Sequence, residues 1–187
     1  AVATTPPPLQ ATAHLLENDC IRVVFDDNGQ VTSIVSKATQ REVIPSGERG
    51  NDLVVFEDLG DAWDFPMDYA ETTPRPMQRS TVEARVDGPH AILEQTFTLG
   101  ASQLRQQVIV TAGSARLDFC TTATWREPRS MLRVRFPVTV QADRATFDIQ
   151  FGHIQRTTHR NTTWDLARDE VAAHKWADLS QPDFGVA

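Results

Sequence analysis

The sequence contains few cysteines and no long apolar run. Its 187 residues include only Cys20 and Cys120, which lack the close Cys and His spacing of a zinc ligand set. Two buried thiols in a reducing compartment are favoured over one disulfide, because a free cysteine behaves as a small core hydrophobe. No apolar run reaches the roughly 18 residues that span a bilayer, so the sequence predicts no membrane-spanning helix.

Positive charge is also scarce. The formal net charge is −7 and the pI is about 5.2. A field of this sign repels phosphate backbones, and no cluster of lysine and arginine marks a membrane-binding surface. We therefore expect neither nucleic acid nor a membrane as a partner.

The first residues lack the basic and apolar regions of a secretory signal, and they lack an initiator methionine. Together with the sparse cysteines, this predicts a cytoplasmic location and a chain cut from a longer protein. Three prolines at 6–8 fix the backbone dihedral φ and donate no hydrogen bonds, so residues 1–14 are predicted to be an extended Pro-rich leading segment. Residues 15–187 are predicted to form one β-sandwich domain.

Apolar and polar residues alternate along most of the chain, which is typical of half-buried strands. The sequence Asp26-Asp27-Asn28-Gly29 predicts a tight primed hairpin turn, and 167–174 predicts at most a short helix or turn. Many short strands separated by turns indicate an all-β antiparallel sandwich or barrel. The last residues, 183–187, resemble the start of a strand, so we expect the sandwich to be truncated at its C-terminus. The strand candidates lie at 21–25, 31–35, 53–56, 82–86, 93–99, 107–111, 117–123, 132–140 and 147–151.

Two places concentrate groups that carry chemistry. Asp61 and Asp64 flank Trp63, and a tight turn brings two such carboxyls within the roughly 5–10 Å that glycoside hydrolysis requires. Acids in a surface loop are nevertheless commonplace, and we favour that interpretation. The last quarter is rich in histidine and acids but has no HExxH motif, so we favour loop side chains bonded to backbone over a metal site. These residues are His153, His159, Asp165, Asp169, Glu170, His174 and Asp178.

Several motifs of the sequence resemble those of one known family. The run QFGHIQRTTHRNTTWD at 150–165, with Thr157 where proline is usual, is similar to the "QFGHxxRPTHRNTSWD" of glycoside hydrolase family 38, the zinc-dependent α-mannosidases. AHKWADLS at 173–180 resembles "AHRWADLSE", and GVA at 185–187 resembles the start of "YGVALLNDCKYG". Upstream, 16–26 resembles "LENxxxRVxFD", while 56–58 and 61–64 resemble "LFED…WDAWD". The likeness runs from about Leu15 to the end.

The resemblance implies a galactose-mutarotase-like supersandwich that follows an N-terminal α/β barrel and a helical bundle. In the family, the zinc ligands and the nucleophilic aspartate belong to that barrel, and nothing in this sequence resembles the barrel's motifs. No catalytic or metal-binding residue is therefore assigned to this chain. The parent reaction implied is retaining hydrolysis of terminal α-mannosides, with zinc binding the sugar hydroxyls.

For the motif residues we hypothesise that they face the catalytic barrel of the same polypeptide, at the rim of the pocket that binds a mannose-containing glycan. An alternative is an autonomous carbohydrate-binding module that uses exposed tryptophans, although Trp in a sandwich is more often a core or interface residue. A self-sufficient enzyme using Asp61 and Asp64 is the least favoured interpretation. The candidate barrel-facing residues are Asp61, Trp63, Asp64, His159, Arg160, Asn161, Trp164 and Asp165.

Overall fold

Alternating apolar and polar residues form antiparallel strands throughout the computed structural model, which describes residues 9–60, 66, 68–166 and 171–187. The chain divides into two compact units, Ala1–Pro137 and Val138–Ala187. One 3₁₀ turn at Tyr69–Glu71 and one four-residue helix, α1 at Thr163–Leu166, complete the described regular structure. The strands are β1 Gln10–Thr12, β2 Leu15–Glu17, β3 Ile21–Phe25, β4 Val31–Ser36, β5 Arg41–Glu42, β6 Asp52–Glu57, β7 Arg75–Pro76, β8 Gln78–Asp87, β9 His90–Leu99, β10 Ser102–Thr111, β11 Leu117–Thr124, β12 Ser130–Arg135, β13 Arg144–Ile149, β14 Gly152–Thr157, β15 Ala177–Gln181 and β16 Phe184–Val186.

The first unit contains two sheets that pack face to face, in strand orders β1-β2-β3-β4-β5 and β11-β10-β9-β8. Residues two apart on a strand point to the same side, so Ile21, Val23 and Phe25 all enter the core. Leu93 and Val108 face them from the second sheet and are fully buried. Burial of each large apolar side chain stabilises the fold by about 2 kcal/mol. The two packed antiparallel sheets confirm the predicted all-β antiparallel sandwich.

A third sheet, ordered β12-β6-β7, belongs to the same unit. The central strand β6 is buried on both faces, which explains its continuous apolar run. Leu53 and Val55 pack with Phe97 and Leu104, whereas the opposite face of β6 packs on Tyr69. Trp125 packs against the cluster that contains Phe97.

Asn18 joins two turns of the first unit through its buried side chain. The Nδ2 group donates to the carbonyl of Thr111 at 2.6 Å and to that of Ser114 at 2.7 Å. The Oδ1 atom accepts from the backbone N–H groups of Cys20 and Ile21. The amide therefore satisfies backbone groups on both the β2–β3 and the β10–β11 connections, as a buried polar side chain must.

The turn between β3 and β4 is not the primed turn that the sequence predicted. Among the described residues of this turn, Gly29 alone has a positive φ, of 79°, whereas a type I′ turn needs two. The Asp26 carboxylate accepts from the N–H groups of Asn28 and Gln30, and so holds Asn28 in the ordinary φ range. The strand positions were right, and the aspartate side chain changed the turn type.

The strand predicted at 132–140 is too long, because β12 ends at Arg135. Pro137 interrupts the ladder, since it has no backbone N–H to donate and restricts the conformation of Phe136 before it.

Cys120 is exposed rather than buried, since it lies beside Gln107 on the outward face of the second sheet. Cys20 is half-buried against the first core, and both thiols are free.

The second unit is one sheet ordered β14-β13-β15-β16, and the segment after β14 leads to α1. The predicted strand at 147–151 ends at Ile149, and Phe151 lies in the turn that follows. Of the predicted helix or turn at 167–174, residues 167–170 lie outside the described residues and 171–174 are not helical. No helix in the described ranges is long and apolar enough to cross a membrane. The limits predicted for the leading segment and the domain stay predictions.

Candidate functional site

The described part of the predicted site is the segment that follows β14. Its sequence Thr162-Thr163-Trp164-Asp165 has the spacing of a capping box, in which a hydroxyl and an acid three residues later bond to each other's backbone. The Asp165 N–H donates to the Thr162 hydroxyl oxygen at 3.2 Å, and the Asp165 carboxylate accepts from the Thr162 N–H at 3.1 Å. The Thr162 hydroxyl also donates to this carboxylate, at 2.8 Å. Local bonds therefore start the short helix α1.

The His159 side chain, in the same segment, contacts Asp165. Its Nδ1 atom lies 3.5 Å from the Asp165 Oδ2 atom. The Asp165 side chain is 11% exposed and that of His159 is 44% exposed. The structure thus brings two of the predicted residues into direct contact.

A cleft of roughly 650 Å³ lies in the second unit, between the sheet and this segment. Ala145, Phe147 and Ile154 give it an apolar wall, because alternate residues of β13 and β14 share one face. Arg156 reaches across it: its guanidinium lies 5.2 Å from the centre of the Phe147 ring and donates to the Ala172 carbonyl at 3.0 Å. His159, Arg160 and Asp165 line the cleft as well.

Large apolar side chains of the second unit point into solvent. Trp164, on α1, is 75% exposed, and Trp176 is 42% exposed. Phe151 is fully exposed at the turn between β13 and β14. Exposed apolar side chains of this size mark a binding surface where they form one patch.

Three of the predicted residues, Asp61, Trp63 and Asp64, lie outside the described residues, and their predicted role stays a prediction. Asn161 is exposed in the segment before α1. Sequence reasoning missed Arg156 as a cleft residue and Phe151 as an exposed one. Because alternate residues of β14 share one face, the sequence could have placed Arg156 beside Ile154 in the cleft. The exposure of Phe151 instead depends on where the hairpin turns.

A metal centre needs several ligating side chains close together. Among residues 9–60, 66, 68–166 and 171–187, no three His, Cys, Asp or Glu side chains gather closely enough to hold a metal ion.

Comparison with known proteins decides the family. The model of the glycosyl hydrolases family 38 C-terminal domain matches residues 16–187. The chain belongs to this family. The resemblance inferred from the 150–165 motif is thereby confirmed.

Named relatives agree with this assignment. The chain is 40% identical over 183 residues to alpha-mannosidase G of Dictyostelium discoideum and 42% identical over 181 residues to alpha-mannosidase 2C1 of Homo sapiens. Each match covers 92% of this chain and 17% of the relative, so the chain spans about a sixth of their length. An alpha-mannosidase crystal structure from Enterococcus faecalis superimposes with a TM-score of 0.76 at 16% identity, over 92% of this chain and 23% of that one. At this identity the superposition shows the fold alone.

Proposed function

We propose that this chain is a non-catalytic β-sandwich domain of a zinc-dependent retaining α-mannosidase, which docks on the catalytic barrel of the same polypeptide and completes it. The observation that carries the proposal is the exposed apolar surface of the second unit, which includes Trp164 and Phe151. Exposure of such side chains to water is unfavourable in free energy, and a partner that covers them removes this penalty.

Contacts within the segment 159–165 favour it as a docking surface. The capping box between Thr162 and Asp165 and the contact of His159 with Asp165 join its residues to one another. A surface that is ordered before binding loses less conformational entropy on association. The proposed barrel-facing residues in the described part of the chain are His159, Arg160, Asn161, Trp164 and Asp165.

The chemistry of the parent enzyme is assigned to the rest of the polypeptide. The relatives are named alpha-mannosidases and are much longer than this chain, which leaves room for a catalytic barrel. We propose that the zinc ligands and the nucleophile reside there, and that the parent hydrolyses terminal α-mannosides. A reducing compartment such as the cytoplasm suits the free thiols of Cys20 and Cys120.

Binding in solution tests the proposal. The purified chain is mixed with the separately expressed catalytic portion of its α-mannosidase, and the complex is measured by calorimetry. A saturable 1:1 complex with a negative heat-capacity change is expected, because apolar surface is buried. The absence of a complex would refute docking.

The exposure of Trp164 and Trp176 favours one second candidate, an autonomous carbohydrate-binding module. Titrating mannose oligosaccharides while following tryptophan fluorescence separates the two functions. A docking domain shows no saturable change, whereas a binding module shows one that Trp164→Ala abolishes.

A further inference from the structure

The β13–β14 hairpin carries an unusual residue at its turn. Ile149 pairs with Gly152 across the two strands, so the connection consists of Gln150 and Phe151. Phe151 has a φ of 62°, in the left-handed region, and its side chain is fully exposed.

Two costs coincide at Phe151. The left-handed region crowds the Cβ atom against the backbone, and it is a genuine outlier for a bulky residue. The aromatic ring also presents its whole apolar surface to water. Glycine at this position avoids both costs, because it adopts positive φ freely and has no side chain. The folding of the hairpin therefore does not explain a phenylalanine at this place.

We infer that Phe151 is an anchor of the docking surface, and that its ring inserts into an apolar pocket on the catalytic portion of the same polypeptide. This inference rests on the proposed docking function and names a residue that carries it. The two-residue turn constrains the backbone beneath the ring, and phenylalanine has only two rotatable side-chain angles, so its insertion loses little side-chain entropy. Buried aromatic anchors of this kind carry a large share of the binding free energy in protein interfaces.

The occupant follows from two observations. The chain spans only 17% of the length of alpha-mannosidases 40% and 42% identical to it, so most of such a polypeptide is available as a partner. The same unit also exposes Trp164 and Trp176, so such a partner has further apolar side chains to cover. A protruding ring suits a pocket on a protein, whereas sugars stack on flat aromatic faces beside polar groups.

The test uses Phe151→Gly, because an anchor predicts unchanged or higher stability of the chain alone but weaker binding to the catalytic portion. In the chain alone, glycine relieves the backbone at φ 62°, so the melting temperature stays equal or rises. In the complex with the catalytic portion, loss of the anchor raises the Kd at least ~10-fold. Gln150→Ala, in the same turn, is the matched control and leaves the Kd within about twofold of wild type.

Each other outcome overturns the inference. Equal Kd values for the wild type and Phe151→Gly leave docking intact and remove Phe151 as its anchor. A clear fall in the melting temperature of the Phe151→Gly chain assigns the ring to folding. Dimerisation of the wild-type chain that Phe151→Gly abolishes assigns it to a second copy. If the wild-type chain does not bind the catalytic portion at all, the proposed function and this inference fail together.

Discussion

The Asp165 carboxylate accepts hydrogen bonds from both the backbone N–H and the hydroxyl of Thr162, at 3.1 Å and 2.8 Å. The cap therefore depends on one acidic side chain. Asp165→Ala is expected to speed amide exchange at Thr162 by about fivefold, because losing one cap costs roughly 1 kcal/mol. Amide exchange followed by NMR measures this. Asp178→Ala is the control, since its carboxylate bonds to Ser180 on β15, and exchange at Thr162 that is unchanged in Asp165→Ala would contradict the cap.

Trp164 and Trp125 are expected to affect different properties. Trp164 is 75% exposed in this chain, so Trp164→Ala should change the unfolding free energy of the isolated chain by less than about 0.5 kcal/mol. In the full-length enzyme, where we propose that a partner surface covers Trp164, the same substitution should lower turnover and thermal stability. Trp125→Ala removes a ring that packs against the buried cluster containing Phe97 and Leu104, and should destabilise the chain itself by about 2 kcal/mol or more. Denaturation of the isolated chain and activity of the whole enzyme are the two measurements. Wild-type turnover and melting temperature in full-length Trp164→Ala would contradict a docking role.

Asn18 provides a stability test of the fold. Asn18→Ala leaves the Thr111 and Ser114 carbonyls without their side-chain donor, and should cost about 2–4 kcal/mol. Asn28→Ala, at an exposed turn position, should cost less than about 1 kcal/mol. Urea denaturation of the three chains measures the difference. Equal midpoints for both variants would show that the buried amide does not join the two turns.

Glu94 predicts a pH dependence of stability. Hydrogen bonds from Gln107, then from Arg85 and Arg105, lower the pKa of Glu94 below its ordinary value. A carboxyl whose pKa is lowered by folding stabilises the protein above its unfolded pKa of about 4.3, and that contribution is lost as the pH falls through the folded value. Wild type should therefore exceed Glu94→Gln in stability most at neutral pH, with the gap closing below about pH 4. A gap that is constant across denaturation curves from about pH 3 to 7 would refute this.

Much of the fold was predictable from the sequence, because strand residues that bury one face must alternate. Ile21, Val23 and Phe25 predicted β3 for this reason, and the buried face of the structure contains all three. The predictions were wrong where a single residue overrides the pattern. Pro137 ended β12 early, and the Asp26 side chain changed the turn at Gly29.

The candidate site was only partly predictable. The motif at 150–165 identified the family, and the spacing of Thr162 and Asp165 is that of the observed cap. The cleft wall formed by Phe147 and Ile154 depends on the register of β13 against β14, which the sequence does not specify. The exposure of Phe151 depends on the exact end of β13.

We propose that this chain completes an α-mannosidase without carrying its catalytic groups. The decisive measurement is hydrolysis of an aryl α-mannoside with zinc present, using the chain alone, the catalytic portion alone and the two together. We expect no turnover by the chain alone, and turnover by the mixture well above that of the catalytic portion. Turnover by this chain alone would refute the proposal and direct attention back to Asp61 and Asp64.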